Sequence, residues 1–158
     1  MDLKIFREAK PERRRELQER LTAALPEWFG VPEANRHYAE QAAALPGFVA
    51  EVDGRSAGLL LFKRHSMESA EIYWMGVARA HHRHGVGSAL VHALCQSIGS
   101  DGVKFLFVAT LHPSVAYEPY QRTRSFYETL GFVYALAEHG ALPDTNPIAY
   151  YLKVLEPS

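Results

Sequence analysis

A single cysteine, Cys95, stands in the whole chain, which excludes an intrachain disulfide and suits a reducing compartment. No apolar run is long enough to span a bilayer. The charged opening, Met1 to Arg7 and then Arg13-Arg14-Arg15-Glu16, argues against a secretory leader there. Neither sign of charge dominates: 17 Lys and Arg against 18 Asp and Glu leave -1, too little to draw the chain to nucleic acid or an anionic membrane. Repeats and low-complexity tracts are missing too, and the composition suggests neither disorder nor a fibrous architecture. A cytoplasmic protein with no nucleic-acid or membrane partner is expected.

What remains is an ordinary globular composition. With 47% hydrophobic and 22% charged residues over 158 positions, one domain spanning residues 1–158 can bury a core of its own, as monomer or homodimer. Leu3 to Glu8 alternates as a half-buried strand, and residues 12–25 put Leu17, Leu21, Ala24 and Leu25 on one helical face, leaving the arginine run solvated. A second helix follows Pro32 with Ala34, Tyr38 and Ala42 in register. Phe48 to Val52, Asp53-Gly54 and Ser56 to Arg64 then read as a hairpin with a tight primed turn. Further on come a strand from Glu71 to Val77, a helix from Val86 to Ile98, a strand from Lys104 to Thr110, a helix from Arg122 to Leu130, and strands from Phe132 to Ala137 and Ala149 to Leu155. This order predicts an α/β fold with a mixed sheet between helices, in which residues 71–110 make a right-handed crossover.

The chemistry concentrates between the strand ending at Val77 and the helix beginning at Val86. There the chain reads Arg79-Ala80-His81-His82-Arg83-His84-Gly85-Val86-Gly87-Ser88. Glycines let backbone N–H groups approach a ligand, and the first turn of a helix offers free donors and a positive dipole end, so a diphosphate is the expected guest. The spacing is not that of a nucleoside-triphosphate loop, and Leu90 stands where a dinucleotide fingerprint needs its third glycine. His81, His82 and His84 are neighbours in a tight loop with no carboxylate or cysteine beside them, so no metal is expected.

His82-Arg83-His84-Gly85-Val86-Gly87 resembles the acetyl-CoA loop of the GNAT superfamily, Q/R-x-x-G-x-G/A, with histidine at the first position. Arg124 to Phe132, an aromatic-rich helix closing in Gly131-Phe132, resembles that superfamily's last signature. Ala24 to Gly30 and Tyr120 to Arg124 are similar to bacterial members of no assigned substrate. The resemblance implies a GNAT-like fold with a central, mostly antiparallel, twisted sheet and an acetyl-CoA-dependent N-acetyltransferase acting on a primary amine, with a small molecule as acceptor. A protein lysine or N-terminal acceptor, and a noncatalytic acyl-CoA-binding module, are the alternatives.

The resemblance also distributes roles. Met75, Gly76 and Val77 meet the pantetheine and acetyl carbonyl, and His82, Arg83, His84, Gly85, Val86, Gly87 and Ser88 meet the diphosphate. Tyr127 takes the place of the tyrosine that protonates the departing thiolate, against the alternative of a packed core aromatic. An amine arrives protonated and needs a base; Glu71 is the first candidate, with Glu27 and Glu118 as rivals and a simple salt-bridge role as the alternative. Gly76 is expected either to permit a bulge that opens a slot or to serve close packing. Glu27, Trp28 and Phe29 are candidates for the acceptor side, and Tyr38, Tyr73 and Trp74 are shared between pocket and core. Arg122 and Arg124 contact CoA or an acidic substrate, or form a solvated pair.

Overall fold

Four consecutive side chains, Leu59, Leu60, Leu61 and Phe62, are all buried, which a strand achieves only when both of its faces are covered. Leu59 and Leu61 point to one side with Leu17, Leu21, Ala42 and Val49; Leu60 and Phe62 point to the other with Ile72, Leu90, Leu94 and Tyr127. Two helical layers around one sheet therefore follow from that run. The computed structural model describes residues 1–138 and 146–156. Its strands are β1 Leu3–Arg7, β2 Gly47–Val52, β3 Arg55–Arg64, β4 Ser69–Val77, β5 Phe105–Leu111, β6 Val133–Glu138 and β7 Ile148–Val154. Its helices are α1 Pro11–Ala24, α2 Pro32–Ala44, α3 Val86–Ser100 and α4 Glu118–Thr129, with a short 3-10 turn at Arg79–His81.

The strands form one seven-stranded sheet in the order β1-β2-β3-β4-β5-β7-β6, with only β4 and β5 parallel. This is the mixed, mostly antiparallel sheet flanked by helices that the sequence predicts. The β2–β3 turn carries Asp53 at φ 50 and Gly54 at φ 82, the two positive angles a primed turn requires. Helix α3 covers one face through Val86, Leu90, Val91, Leu94 and Ile98. Leu90 and Leu94 are wholly inaccessible, each contributing about 1.5–3 kcal/mol by burial. Pro at the first turn starts α1, α2 and α4, where its missing N–H costs nothing.

Two readings need correction, and an open alternative at Gly76 is decided. The arginine run is not wholly solvated: Arg14 is 6% exposed and donates to the carbonyls of Glu8, Ala42 and Ala43, stitching β1, α1 and α2 together. Its buried charge is tolerated because three acceptors replace water. Helix α4 begins at Glu118, four residues before Arg122, because Pro119 belongs to its first turn. Gly76 makes no bulge. The register shift pairs Leu61 with Trp74 and Phe62 with Ile72, so Tyr73 is the extra residue; a Cβ on Gly76 would lie 2.6 Å from the Trp74 ring. Close packing is therefore the role of Gly76.

Candidate active site

Strands β4 and β5 pair only from Ser69 with Phe105 to Ile72 with Val108. Beyond that β4 continues to Val77 bonded to β3 alone, and β5 continues to Leu111 bonded to β7 alone. The sheet opens there into a cleft of about 960 Å³, within the range of small-molecule sites. The bulge at Tyr73 explains the opening, because an extra residue bends a strand away from its neighbour.

The mouth of the cleft is closed by the turn into α3. Arg83 at φ 63 and Gly85 at φ 82 reverse the chain, and no side chain caps the helix. The first N–H groups of α3, on Val86, Gly87 and Ser88, therefore keep their donors for a ligand. Gly87 lies against the Phe126 ring: a Cβ there would sit 3.1 Å from it. His82 turns inward, its Nε2 2.7 Å from the Val77 carbonyl at the open edge of β4. A carbonyl only accepts, so the imidazole carries a proton on Nε2.

The opposite wall is a strap formed by the α1–α2 loop. Trp28 Nε1 donates to the Pro119 carbonyl and the Thr123 hydroxyl, both at 3.1 Å, while Tyr120 donates to the Trp28 carbonyl at 2.8 Å. Tyr117 donates to the Glu27 carbonyl, and Arg122 stacks over the Trp28 ring. At its other end Arg79 pairs with Glu27 at 2.6 Å, which holds the Glu27 carboxyl below its ordinary range. The strap thus ties the β4 side of the cleft to the β5 side.

Nine of the ten residues assigned to the cofactor line the cleft: Met75, Gly76, Val77, His82, Arg83, Gly85, Val86, Gly87 and Ser88. His84 is exposed and lies outside the wall. Tyr127 lines the cleft between the rings of Phe126 and Phe132. Burial pushes its phenol well above the ordinary tyrosine range. Trp28, Phe29 and Glu118 line the cleft, whereas Glu27 and Glu71 do not. Glu71 accepts from His65 Nε2 at 2.7 Å. Arg124 is neither a ligand nor a solvated residue: it is buried and donates to the Leu111 carbonyl.

The β5 wall, Val108 to Thr110, carries no sequence signal of a site, and Tyr120 carries only the resemblance of its segment; the doubling back of α4 beside β5 brings them in. Trp74 Nε1 and Thr110 Oγ1, both buried on cleft-wall residues, have no hydrogen-bond partner among the described residues. Among the described residues the charged groups on the wall are Arg83 and Arg122 against Glu118, a balance that suits an anionic ligand. Among the described residues no cluster of three His, Cys, Asp or Glu side chains could hold a metal ion, and no helix is long and apolar enough to cross a membrane.

Residues 45–134 match the family model of the acetyltransferase (GNAT) domain, more than half of the chain and all of the cleft's β4, glycine-loop and α4 walls. The chain belongs to the GNAT acetyltransferase family and is by class an acyltransferase. Among solved structures it is similar to a protein assigned to that family from Desulfovibrio desulfuricans, at 20% identity over 98% of this chain and 100% of the other, with a TM-score of 0.83. It is also similar to the ribosomal-protein-S18-alanine N-acetyltransferase from Escherichia coli, at 17% identity over 99% and 96%, TM-score 0.72. A GNAT family acetyltransferase from Elizabethkingia anophelis, solved with acetyl-CoA bound, matches at 14% identity over 97% and 98%, TM-score 0.70. At such identities the likeness speaks for the fold. No curated protein gives a significant sequence match.

Proposed function

We propose that the protein transfers an acetyl group from acetyl-CoA to the primary amine of a small molecule, by direct attack within a ternary complex. One observation carries this reading: an uncapped helix start with two glycines stands at the mouth of a cleft that opens between β4 and β5. A diphosphate fits the free N–H groups of Val86 to Ser88 beside Arg83, and a pantetheine chain fits alongside the unpaired edge of Tyr73 to Val77. The structure of the Elizabethkingia protein with acetyl-CoA supports the choice of cosubstrate.

In the reaction the amine nitrogen bonds to the thioester carbonyl carbon, and the carbon–sulfur bond breaks. The amine loses one proton and the CoA sulfur gains one, so no oxidant and no covalent enzyme intermediate is needed. Tyr127, kept protonated by burial, donates its hydroxyl hydrogen to the developing thiolate. Glu71, adjacent in sequence to the cleft-lining Ile72 and hydrogen-bonded to His65, receives the amine proton through water, and Glu118, on the cleft wall, is its rival. The strap over the acceptor side favours a small molecule over a polypeptide, which needs an open groove.

Calorimetric titration with acetyl-CoA tests the cosubstrate, comparing the native chain with Gly87→Trp, whose side chain would fill the diphosphate site against Phe126. Binding that disappears in the variant supports the reading. A folded native protein that does not bind acetyl-CoA overturns it. Glu71→Gln and Glu118→Gln then separate the two bases by their effect on kcat.

A further inference from the structure

On the reading above, we propose that the acceptor carries a single ammonium group on a flat, apolar body, the chemistry of an arylalkylamine, and that polycationic amines are rejected. The acceptor side of the cleft is built from rings. Phe29 stacks on Trp74 with centroids 5.0 Å apart and planes at 26°, and Tyr38 meets Tyr73 edge-on at 5.8 Å. Trp28 and Tyr120 complete this wall, and all six rings line the cleft. Rings of this kind take up a flat apolar guest by offset stacking and edge contact, and they hold one cation against their faces.

Charge decides between one ammonium group and several. A polycation needs a carboxylate for each ammonium group that it brings out of water. Among the described residues the cleft wall supplies one carboxylate, Glu118, which lies 3.7 Å from Arg122. Of the carboxylates outside the wall, Glu27 is paired with Arg79, and Glu71, the proposed base, is hydrogen-bonded to His65. Against Glu118 stand the guanidinium groups of Arg83 and Arg122 on the wall itself, so each further ammonium group would meet repulsion.

The ring wall is also ordered before any acceptor arrives. Trp28 is fixed through its indole nitrogen and its carbonyl, which lowers the entropic cost of binding a rigid guest. The hydroxyls of Tyr38 and Tyr73 make no hydrogen bond to any described residue, and burial holds both phenols neutral, so they remain free to orient an amine.

Steady-state release of CoA thiol by the full chain tests the proposal, with tryptamine and 2-phenylethylamine against spermidine and kanamycin. We expect kcat/KM for the two arylalkylamines to exceed that for the polycations by at least about tenfold. Phe29→Leu should raise KM for tryptamine by about fivefold or more, with acetyl-CoA affinity unchanged by calorimetry. Tyr38→Leu serves the same purpose if the first variant does not fold. Polycations used as well as arylalkylamines, or a tryptamine KM indifferent to these ring removals, overturn the acceptor class. So does acetyl-CoA binding without turnover of either arylalkylamine, which leaves the cosubstrate reading standing. Failure to bind acetyl-CoA overturns both.

Discussion

The imidazole of His82 donates from Nε2 to the carbonyl oxygen of Val77 at 2.7 Å. The same ring stands edge-on to Trp28, with centroids 5.7 Å apart. One side chain thereby joins the end of β4, the glycine loop and the strap. His82 occupies the first position of the acetyl-CoA motif, yet its Nε2 proton is engaged with the protein. On the proposed function, diphosphate binding is left to the backbone of residues 86–88 and to Arg83.

From this follows a graded outcome at position 82. His82→Ala leaves the Val77 carbonyl without its donor and unties the loop, and should weaken acetyl-CoA binding about tenfold, the equivalent of one lost hydrogen bond. His82→Gln keeps an amide donor of similar reach and should recover most of that loss. Calorimetry on both variants checks it; an alanine variant that binds as tightly as the native chain rules out the tie.

The two loop glycines should separate stability from binding. Gly85 sits at φ +82 with open space around the missing Cβ, so Gly85→Ala meets backbone strain but no clash. The expected cost is about 1 kcal/mol, or roughly 2–4 °C in Tm, with acetyl-CoA affinity nearly kept. Gly87→Ala instead presses on Phe126 inside the cleft, 3.1 Å from the new Cβ. It should reduce affinity more than Tm. Thermal denaturation beside calorimetry reads both, and the opposite pattern would contradict the assignment.

Local chemistry made much of this legible beforehand. Asp53-Gly54 announces its turn because few other pairs accept two positive φ angles, and the α3 stripe announces its buried face through period alone. The glycine loop is readable for the same reason. What escaped the sequence depends on contacts between distant segments. Arg14 is buried only because Ala42 and Ala43, far along the chain, present carbonyls to it. The Tyr73 bulge is a register event between two strands, which no single-strand pattern encodes. Trp28 reads as an unusually aromatic loop residue; its partners Pro119 and Thr123 lie more than ninety positions away.

Tyr127→Phe isolates the proposed donor. The hydroxyl has no hydrogen-bond partner among the described residues, and the ring keeps its contacts with Phe126 and Phe132, so the variant should fold with an unchanged Tm. Loss of a hydrogen-bond donor to the leaving thiolate should lower kcat by about 100-fold with little change in KM for acetyl-CoA. A kcat within about twofold of the native value would reduce Tyr127 to a packing residue.

Alkaline pH should destabilise the fold, most strongly through two phenols. In the unfolded chain a tyrosine ionises near pH 10. In the folded protein burial, with the neighbouring phenols of Tyr38 and Tyr117, pushes Tyr120 up to about 12, and burial alone pushes Tyr127 higher still. Above pH 10 the unfolded chain therefore releases protons that the folded chain retains. Fewer protons bound to the unfolded state means that stability falls as pH rises. The contribution is intact below about pH 9 and declines between pH 10 and 12, by on the order of 2 kcal/mol for Tyr120. Tm measured from pH 8 to 11 should bend downward near pH 10. Tyr120→Phe removes the hydrogen bond to the Trp28 carbonyl and lowers the whole curve, so its height is no test. The test is the slope: Tyr120→Phe and Tyr127→Phe should each flatten the decline above pH 10, and slopes parallel to the native one would show that neither phenol is held neutral by the fold.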